Sequence, residues 1–307
     1  MGARRRKSER EEGAWYWRVL VCPRCGGKLV PAQNLVRCAA CGPFPVLGEV
    51  PLLVSDPARY CAEFHDAILA ALAEQGLATR EAVHVVRAFA QGSPDVDPQR
   101  FGDDWTRAEA LGEPPPVPVR DPAKAGLAQL LTLAAEEGPP GWILAHVKRV
   151  PLALEVGCGA GERSEVLAQR VQRLLVGDLS LRAVLQARAR ASRGLAQVAG
   201  VVMDAAALPL AAEAFDLLIA ENLVDLLDEP FEFLEGVREA LSVKGRALVT
   251  SPNPSLGSTD EGALKGLAVQ AGLKVVESRD GLPWLRVNSS RFLEVYLSLA
   301  LCLTRAP

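Results

Sequence analysis

The sequence predicts an α/β fold, in which a mixed sheet flanked by helices follows a cysteine-rich domain and a helical linker. Two pairs of cysteines lie within the first 41 residues, and a stretch rich in proline and glycine divides the chain before its midpoint. From residue 151 onward, apolar runs alternate with amphipathic helical patterns. Such alternation is typical of a parallel sheet with helices on its faces. The 307 residues leave room for more than one domain.

Composition and charge exclude several classes of protein. The 34 basic and 37 acidic side chains nearly balance, which argues against a protein coated with positive charge and against a disordered acidic chain. Residues 1–14 carry the basic run Arg4–Lys7, and we expect them to form a disordered tail. The sequence has no apolar run long enough to span a membrane and no signal-peptide core. We therefore expect a cytoplasmic protein without a membrane partner.

Four cysteines form two pairs with the spacing of a metal site. They read Cys22-Pro-Arg-Cys25 and Cys38-Ala-Ala-Cys41. Four thiolates supply the tetrahedral sulfur shell that zinc prefers, and a shell filled by the protein indicates a structural ion. Two disulfides are the alternative, but thiols stay reduced in a chain without an export signal. The spacing therefore predicts structural Zn²⁺.

The residues around these cysteines resemble a known family. The runs Cys22-Pro-Arg-Cys25-Gly-Gly-Lys-Leu29 and Phe44-Pro-Val-Leu-Gly-Glu-Val-Pro-Leu-Leu53 are similar to those of the small zinc-ribbon proteins that partner and activate methyltransferases. The resemblance implies a zinc-ribbon domain over residues 15–57. Zinc ribbons also bind RNA, so the resemblance leaves the partner open.

Residues 58–140 are predicted to form a helical and Pro-rich linker or lid. The expected helices are Ala58–Ala73, Glu81–Ala90 and Pro122–Glu137. Between the last two, residues 92–122 are rich in proline and glycine and cannot form a regular helix. The α/β domain is expected to follow over residues 141–307.

A glycine-rich turn follows the first strand of the α/β domain. The strand contains Glu155 and runs into Gly157-Cys-Gly159-Ala-Gly161, after which a helix begins at about Glu162. Such a turn lets a ligand approach backbone N–H groups at a helix N-terminus. A dinucleotide fingerprint would need glycine at position 162, where the carboxylate of this chain would repel a pyrophosphate. An acidic environment instead suits a ligand that carries positive charge.

Further polar residues follow the next three strands. Asp178 and Leu179 follow the second strand, Asp204 and Ala205 the third, and Asn222 the fourth. A carboxylate at the tip of the second strand can accept hydrogen bonds from both hydroxyls of a ribose. The sequence therefore predicts a nucleoside site at the carboxyl edge of the sheet.

These motifs, together with a turn before the fifth strand, resemble those of class I S-adenosylmethionine-dependent methyltransferases over residues 151–252. The resemblance implies a Rossmann-like, seven-stranded mixed sheet with the order 3-2-1-4-5-7-6. It also implies that the segment Arg279–Arg291 is a loop over the substrate side. The sequence departs from the family pattern at Leu226, where histidine is common, and at Lys244–Arg246, which lacks a proline and one glycine.

The same resemblance assigns contacts with S-adenosylmethionine. The residues expected to bind it are Glu155, Gly157, Gly159, Gly161, Asp178, Leu179, Asp204, Ala205 and Asn222. Asp178 would accept hydrogen bonds from the ribose, and Asp204 would meet the adenine amino group. Methyl transfer is an in-line displacement that positioning and desolvation can accelerate, so no catalytic base is assigned.

Three functions remain open from the sequence. The first is a methyltransferase for a small molecule, with no obligate protein partner, in which the ribbon and linker stabilise or cover the catalytic domain. The second is an RNA (rRNA guanine-type) methyltransferase, which the basic start and Trp15–Trp17 favour. Residues 1–56 hold 9 basic and 5 acidic side chains, which leaves 25 against 32, a net charge of −7, for the rest and opposes wide phosphate contact. The third is a non-catalytic cofactor-binding or scaffolding protein, which the intact motifs disfavour.

Overall fold

The structure, a computed structural model, describes residues 15–91, 122–257, 262–289 and 292–306. The predicted basic tail and the Pro-rich part of the predicted linker, residues 92–121, lie outside the described residues. No helix among those described has the length and apolar character needed to span a bilayer.

Within the described residues, eleven strands form one mixed sheet, which confirms the predicted α/β class. They are β1 (Leu29–Ala32), β2 (Leu35–Cys38), β3 (Gly42–Leu47), β4 (Val50–Leu53), β5 (Leu152–Val156), β6 (Arg173–Asp178), β7 (Gln197–Met203), β8 (Phe215–Glu221), β9 (Leu241–Ser251), β10 (Leu273–Ser289) and β11 (Phe292–Arg305). Across the sheet their order is β1-β2-β3-β4-β7-β6-β5-β8-β9-β11-β10.

Helices cover the sheet and begin at side-chain caps in several places. They are α1 (Pro57–Glu63), α2 (His65–Glu74), α3 (Arg80–Ala90), α4 (Pro122–Glu137), α5 (Pro139–His146), α6 (Glu162–Leu167), α7 (Leu181–Ala191), α8 (Pro230–Ala240) and α9 (Ala263–Gln270). Asp56 caps α1 by accepting a hydrogen bond from the Arg59 N–H, and Ser180 caps α7 through the Ala183 N–H. The helix predicted over Ala58–Ala73 is two helices that meet at Phe64.

The prediction of seven strands is wrong, because the cysteine-rich domain continues the sheet. β4 runs parallel to β7, with Leu52 opposite Val202 and Leu53 opposite Met203. All four side chains are buried, so the junction is part of the core. The other seven strands keep the predicted order, as β7-β6-β5-β8-β9-β11-β10. The edge that β7 would otherwise expose is therefore covered by the chain itself.

The predicted loop Arg279–Arg291 is also wrong over most of its length. β10 continues to Ser289 and pairs with β11, so that Trp284 lies opposite Tyr296. Gly281 and Pro283 suggest from the sequence that a strand ends there. However, β10 is an edge strand, where a bulge and a proline are tolerated. The long hairpin passes beyond Ser251, the carboxyl end of β9. It therefore rises at the same edge of the sheet as the predicted nucleoside site.

Two buried apolar clusters lie on opposite faces of the sheet. The neighbouring β5 residues Ala153 and Leu154 belong to different clusters, as expected when successive side chains of a strand point to opposite faces. Residues 15–57, called the ribbon below after the predicted domain, enter both clusters, with Phe44 in one and Leu47 in the other, and both are fully buried. The ribbon and the α/β domain thus share both clusters.

Candidate functional site

A tight turn between β5 and α6 forms the centre of the candidate site. Gly157, Gly159 and Gly161 have φ values of 71°, 50° and 84°, a conformation that glycine adopts readily and other residues rarely. A Cβ atom on Gly161 would lie 2.3 Å from the Cα atom of Ala187 in α7. The backbone conformation therefore favours glycine at all three positions, and at Gly161 the close packing of the turn on α7 also excludes a side chain.

Asp178 joins this turn to the end of β6. Its Oδ2 accepts a hydrogen bond from the Gly159 N–H at 3.1 Å, and its Oδ1 accepts one from the Ser180 N–H at 2.9 Å. The residue is only 7% exposed, and burial raises the pKa of the Asp178 carboxyl, while the surrounding N–H donors act in the opposite direction. Each carboxylate oxygen keeps a further lone pair for a hydroxyl donor. These two acceptor oxygens fit the two hydroxyls of a ribose.

Tyr60 of α1 reaches the same loop from the N-terminal part of the chain. Its hydroxyl donates a hydrogen bond to the Leu179 carbonyl oxygen at 2.6 Å. Its ring lies 4.9 Å from that of Phe64, centroid to centroid, and burial raises the pKa of the Tyr60 phenol. Sequence reasoning missed Tyr60, because a tyrosine in a predicted linker helix gives no local signal that it contacts a loop more than 100 residues away.

Glu155 is buried beneath the glycine turn. It is 3% exposed, and the Ser164 hydroxyl donates a hydrogen bond to its Oε2. Burial raises the pKa of Glu155 to about 8, with Glu221 and Asp178 adding to the effect and Ser164 opposing it. The carboxyl therefore supports the turn from below, and a direct contact with the cofactor stays a prediction.

Asp204 and Ala205 follow β7 at the same edge of the sheet. Asp204 Oδ1 accepts a hydrogen bond from the Ala206 N–H at 2.9 Å and caps a short 3₁₀ turn, Ala205–Ala207. Two backbone hydrogen bonds hold the chain beyond this turn against the ribbon. Val21 N–H donates to Pro209 O, and Ala211 N–H donates to Val19 O, both at 2.9 Å. The ribbon thus fixes the segment that follows the predicted adenine contacts.

The end of β8 carries an ion pair and an asparagine with positive φ. Arg163 Nε lies 2.8 Å from Glu221 Oε2, and both side chains are mostly buried. Asn222 has a φ of 53°, which asparagine tolerates better than most residues, and its Oδ1 accepts a hydrogen bond from Thr250 Oγ1 at 2.9 Å. Leu226 follows in a 3₁₀ turn and is 66% exposed. Arg163 and Thr250 were not predicted, since only the fold brings them to this edge.

The structure brings the nine predicted residues to one edge of the sheet. β5, β6, β7 and β8 are parallel neighbours, so their carboxyl ends and the segments that follow them converge there. The roles of these residues as cofactor contacts stay predictions.

The four cysteines of the ribbon also come together. The sulfur atoms of Cys22, Cys25, Cys38 and Cys41 all lie within 4.8 Å of one another, and all four residues are free thiols. Tetrahedral zinc with Zn–S bonds of about 2.3 Å holds its sulfurs about 3.8 Å apart, so the arrangement fits. The N–H groups of Cys41 and Ala40 lower the pKa of Cys38, whereas burial raises that of Cys22, and Cys25 together with burial raises that of Cys41. The cluster suggests a zinc site.

Arg24 ties the cysteine cluster to the segment that follows β4. Its Nη1 donates a hydrogen bond to the Cys41 carbonyl at 3.1 Å, and its Nε donates one to the Ser55 carbonyl. Its guanidinium also lies 5.7 Å from the centroid of the Phe44 ring. Ser55 directly precedes Asp56, the cap of α1. The cysteine cluster and α1 are therefore linked through one side chain.

Comparison with known proteins supports a methyltransferase domain in this chain. A family model described as a methyltransferase domain matches residues 153–245, which include the glycine turn, Asp178, Asp204 and Asn222. This part of the chain is similar to a methyltransferase domain. None of the curated proteins matches the sequence significantly.

Solved structures with a similar fold include several methyltransferases. The N-methyltransferase NodS of Bradyrhizobium japonicum, in complex with S-adenosyl-L-homocysteine, is 21% identical, with a TM-score of 0.44 over 66% of this chain and 97% of that chain. A TehB-like methyltransferase of Corynebacterium glutamicum is 21% identical, with a TM-score of 0.43 over 60% and 100%. A chain from the complex between the Trm112 methyltransferase activator of Haloferax volcanii and a methyltransferase is 16% identical, with a TM-score of 0.46 over 62% and 98%.

Proposed function

We propose that this chain is an S-adenosylmethionine-dependent methyltransferase that acts on a small molecule. The observation that carries the proposal is the position of Asp178, a buried carboxylate at the tip of β6 that holds the Gly159 N–H of the glycine turn. A group that accepts hydroxyl donors and a bare backbone turn thus lie side by side at the carboxyl edge of the sheet. The match of residues 153–245 to a methyltransferase domain supports the proposal.

Under this proposal each strand end binds one part of the methyl donor. Asp178 accepts hydrogen bonds from the ribose, with Leu179 beside it. Asp204 meets the adenine amino group, with Ala205 at the ring. The methionine end of the donor meets Gly157, Gly159, Gly161 and Asn222, with Glu155 below the turn. When bound, S-adenosylmethionine supplies a methyl group on a positively charged sulfur.

Electrostatics favour a cationic donor over a phosphate-bearing ligand at this edge. Glu221 and Asp178 each raise the pKa of Glu155, so both carboxyls lie near it. Glu162 adds an exposed carboxylate in the first turn of α6, where a pyrophosphate would lie in a dinucleotide site. The carboxylates of Asp178 and Glu162 would attract the amino group and sulfonium of the donor and repel phosphate. In contrast, Glu221 is paired with Arg163, and Glu155 keeps its proton near neutral pH.

Residues next to the donor site would orient the reactants and exclude water. Asn222 is fixed by Thr250, and Asp225 is fixed by a 2.8 Å hydrogen bond from the Ser251 hydroxyl. Exposed Leu226 offers an apolar contact next to these groups. A transfer that depends on alignment and desolvation gains from such fixed positions, and no general base is assigned.

The ribbon, in this proposal, is a built-in counterpart of the separate activator proteins that it resembles. β4 extends the sheet at β7, and Val19–Val21 holds the segment at Pro209–Ala211. Both contacts lie next to the strand end that carries Asp204. Zinc would serve a structural role by ordering the two cysteine pairs, and a separate protein partner would not be needed for this contact.

RNA is the second candidate substrate, and the position of a basic groove bears on it. A groove of about 580 Å³ is lined by Arg149, Arg170 and Arg173. Arg173 is the first residue of β6, so this groove lies at the amino edge of the sheet, opposite the candidate donor site. RNA bound there would lie away from the transferred methyl group. This placement favours a small-molecule substrate.

Isothermal titration calorimetry tests the proposal. We expect S-adenosylmethionine and S-adenosylhomocysteine to bind one per chain, and NAD⁺ not to bind. Incubation with S-adenosylmethionine and metabolite fractions should then give a product heavier by one methyl group, detected by mass spectrometry. Failure of S-adenosylmethionine to bind, or binding of NAD⁺ instead, would contradict the proposal.

A further inference from the structure

We propose that Tyr60 is a positioning residue for the methyl-donor site, because its hydroxyl fixes the peptide group that orients Asp178. The inference rests on the proposed function, which puts the ribose of the donor at Asp178. Tyr60 lies in α1, outside residues 153–245 that match a methyltransferase domain. A residue of the N-terminal part of the chain thus controls donor affinity.

The two hydrogen bonds that matter belong to one peptide group. The carbonyl oxygen of Leu179 accepts the hydrogen bond from Tyr60 at 2.6 Å. The N–H of the same peptide group belongs to Ser180 and donates to Asp178 Oδ1 at 2.9 Å. A peptide group is planar, so fixing its oxygen also fixes the direction of its N–H. The phenol therefore sets the orientation of the donor that holds the carboxylate.

Burial makes the phenol contact hard to replace. Tyr60 is 7% exposed, and its ring packs against Phe64. The contact with the Leu179 carbonyl is partly buried, so an oxygen that loses this donor is less well satisfied, which favours other orientations of the peptide group. Because burial raises the pKa of the phenol, the hydroxyl keeps its proton and donates throughout the neutral pH range.

The helix that carries Tyr60 is held by the ribbon. Asp56 caps α1 through the Arg59 N–H at 2.9 Å, and the preceding carbonyl, that of Ser55, accepts a hydrogen bond from Arg24. Arg24 in turn holds the Cys41 carbonyl. Contacts therefore run without a gap from the cysteine cluster through Arg24 and α1 to the loop beside Asp178.

Tyr60→Phe isolates the hydroxyl and keeps the ring. We expect the dissociation constant for S-adenosylhomocysteine, measured by calorimetry, to rise about tenfold, since the loop then samples orientations that bind poorly. Hydrogen exchange of the Ser180 amide, measured by NMR without ligand, should become faster than in the wild-type protein.

Two control variants separate positioning from a general loss of stability. Tyr296→Phe makes the same chemical change in the β10–β11 hairpin, where the hydroxyl contacts Glu294. Ile68→Val trims a side chain of α2 that is 2% exposed and lowers the melting temperature while keeping the Tyr60 hydroxyl. Both variants should bind S-adenosylhomocysteine like the wild-type protein, and both should leave exchange at Ser180 unchanged.

The outcomes are distinct. Wild-type affinity in Tyr60→Phe, or an equal loss of affinity in Ile68→Val, overturns the inference. If the wild-type protein itself does not bind S-adenosylhomocysteine, the proposed function fails. The exchange measurement still decides the role of Tyr60 in that case, because faster exchange at Ser180 supports the positioning contact and unchanged exchange overturns it.

Discussion

Replacing Asp178 by asparagine tests the ribose assignment with a change of charge and almost no change of shape. The asparagine carbonyl oxygen can still accept one of the two backbone hydrogen bonds, from Gly159 or Ser180. Its amide nitrogen cannot accept any. We therefore expect the variant to fold, and since burial raises the pKa of Asp178, removing the charge also removes a desolvation cost.

The expected loss of affinity follows from the two ribose hydroxyls. Hydrogen bonds to a charged group contribute about 1.5–3 kcal/mol each, and asparagine removes one acceptor and the charge of the other. A combined loss of about 3 kcal/mol corresponds to an affinity lower by roughly 100-fold. Binding of S-adenosylhomocysteine should weaken by this factor.

Calorimetry on matched variants measures the effect. Asp66→Asn makes the same chemical change at a fully exposed position in α2 and should bind S-adenosylhomocysteine within about twofold of the wild-type protein. Thermal unfolding of the unliganded variants checks that both are folded. An affinity for Asp178→Asn within about threefold of wild type would refute the ribose assignment, because loss of a bond to a charged acceptor must cost more.

Three further predictions concern the metal, the buried acid and the substrate. Metal analysis should find one zinc per chain in the wild-type protein and in Cys302→Ala, but none in Cys25→Ser, and a wild-type protein without zinc would contradict the metal assignment. The folded-state pKa of Glu155, about 8, lies above its ordinary value of 4.5, so the folded state binds more protons between these two values. The free energy of unfolding should therefore fall as pH rises from 5 to 8, by up to about 1.4 kcal/mol per pH unit from this group. Glu155→Gln should flatten that slope in urea titrations, and equal slopes would show that Glu155 is not the cause. In filter-binding assays, RNA should not be retained at low salt, whereas tight binding that weakens steeply with salt would support the RNA alternative.

The features that sequence could predict are those encoded by local patterns. Alternating apolar runs and the glycine turn at Gly157–Gly161 predicted the strand and helix order, and each strand end carried its polar residue in the expected place. The spacing of the cysteine pairs predicted their convergence, because each pair lies in a single tight turn. The family resemblance was sufficient to predict the order of the seven strands of the α/β domain.

Long-range contacts explain what the sequence could not predict. The apolar run at Val50–Leu53 reads as the last strand of a small separate domain, and its parallel pairing with β7 depends on a complementary edge about 150 residues away. A separation of 119 residues likewise hides the contact between Tyr60 and Leu179. At Gly281–Pro283 the local pattern misled, because residues that usually break a strand lie in an edge strand whose pairing with β11 tolerates them.

The central claim is that a sulfonium nucleoside lies across the carboxyl edge of β5–β8. A crystal structure with S-adenosylhomocysteine tests it most directly. We predict ribose hydroxyls within hydrogen-bond distance of Asp178, the adenine next to Asp204, and the amino-acid tail beside Gly157–Gly161. Density for the ligand elsewhere, or a crevice that admits no ligand, would contradict the claim.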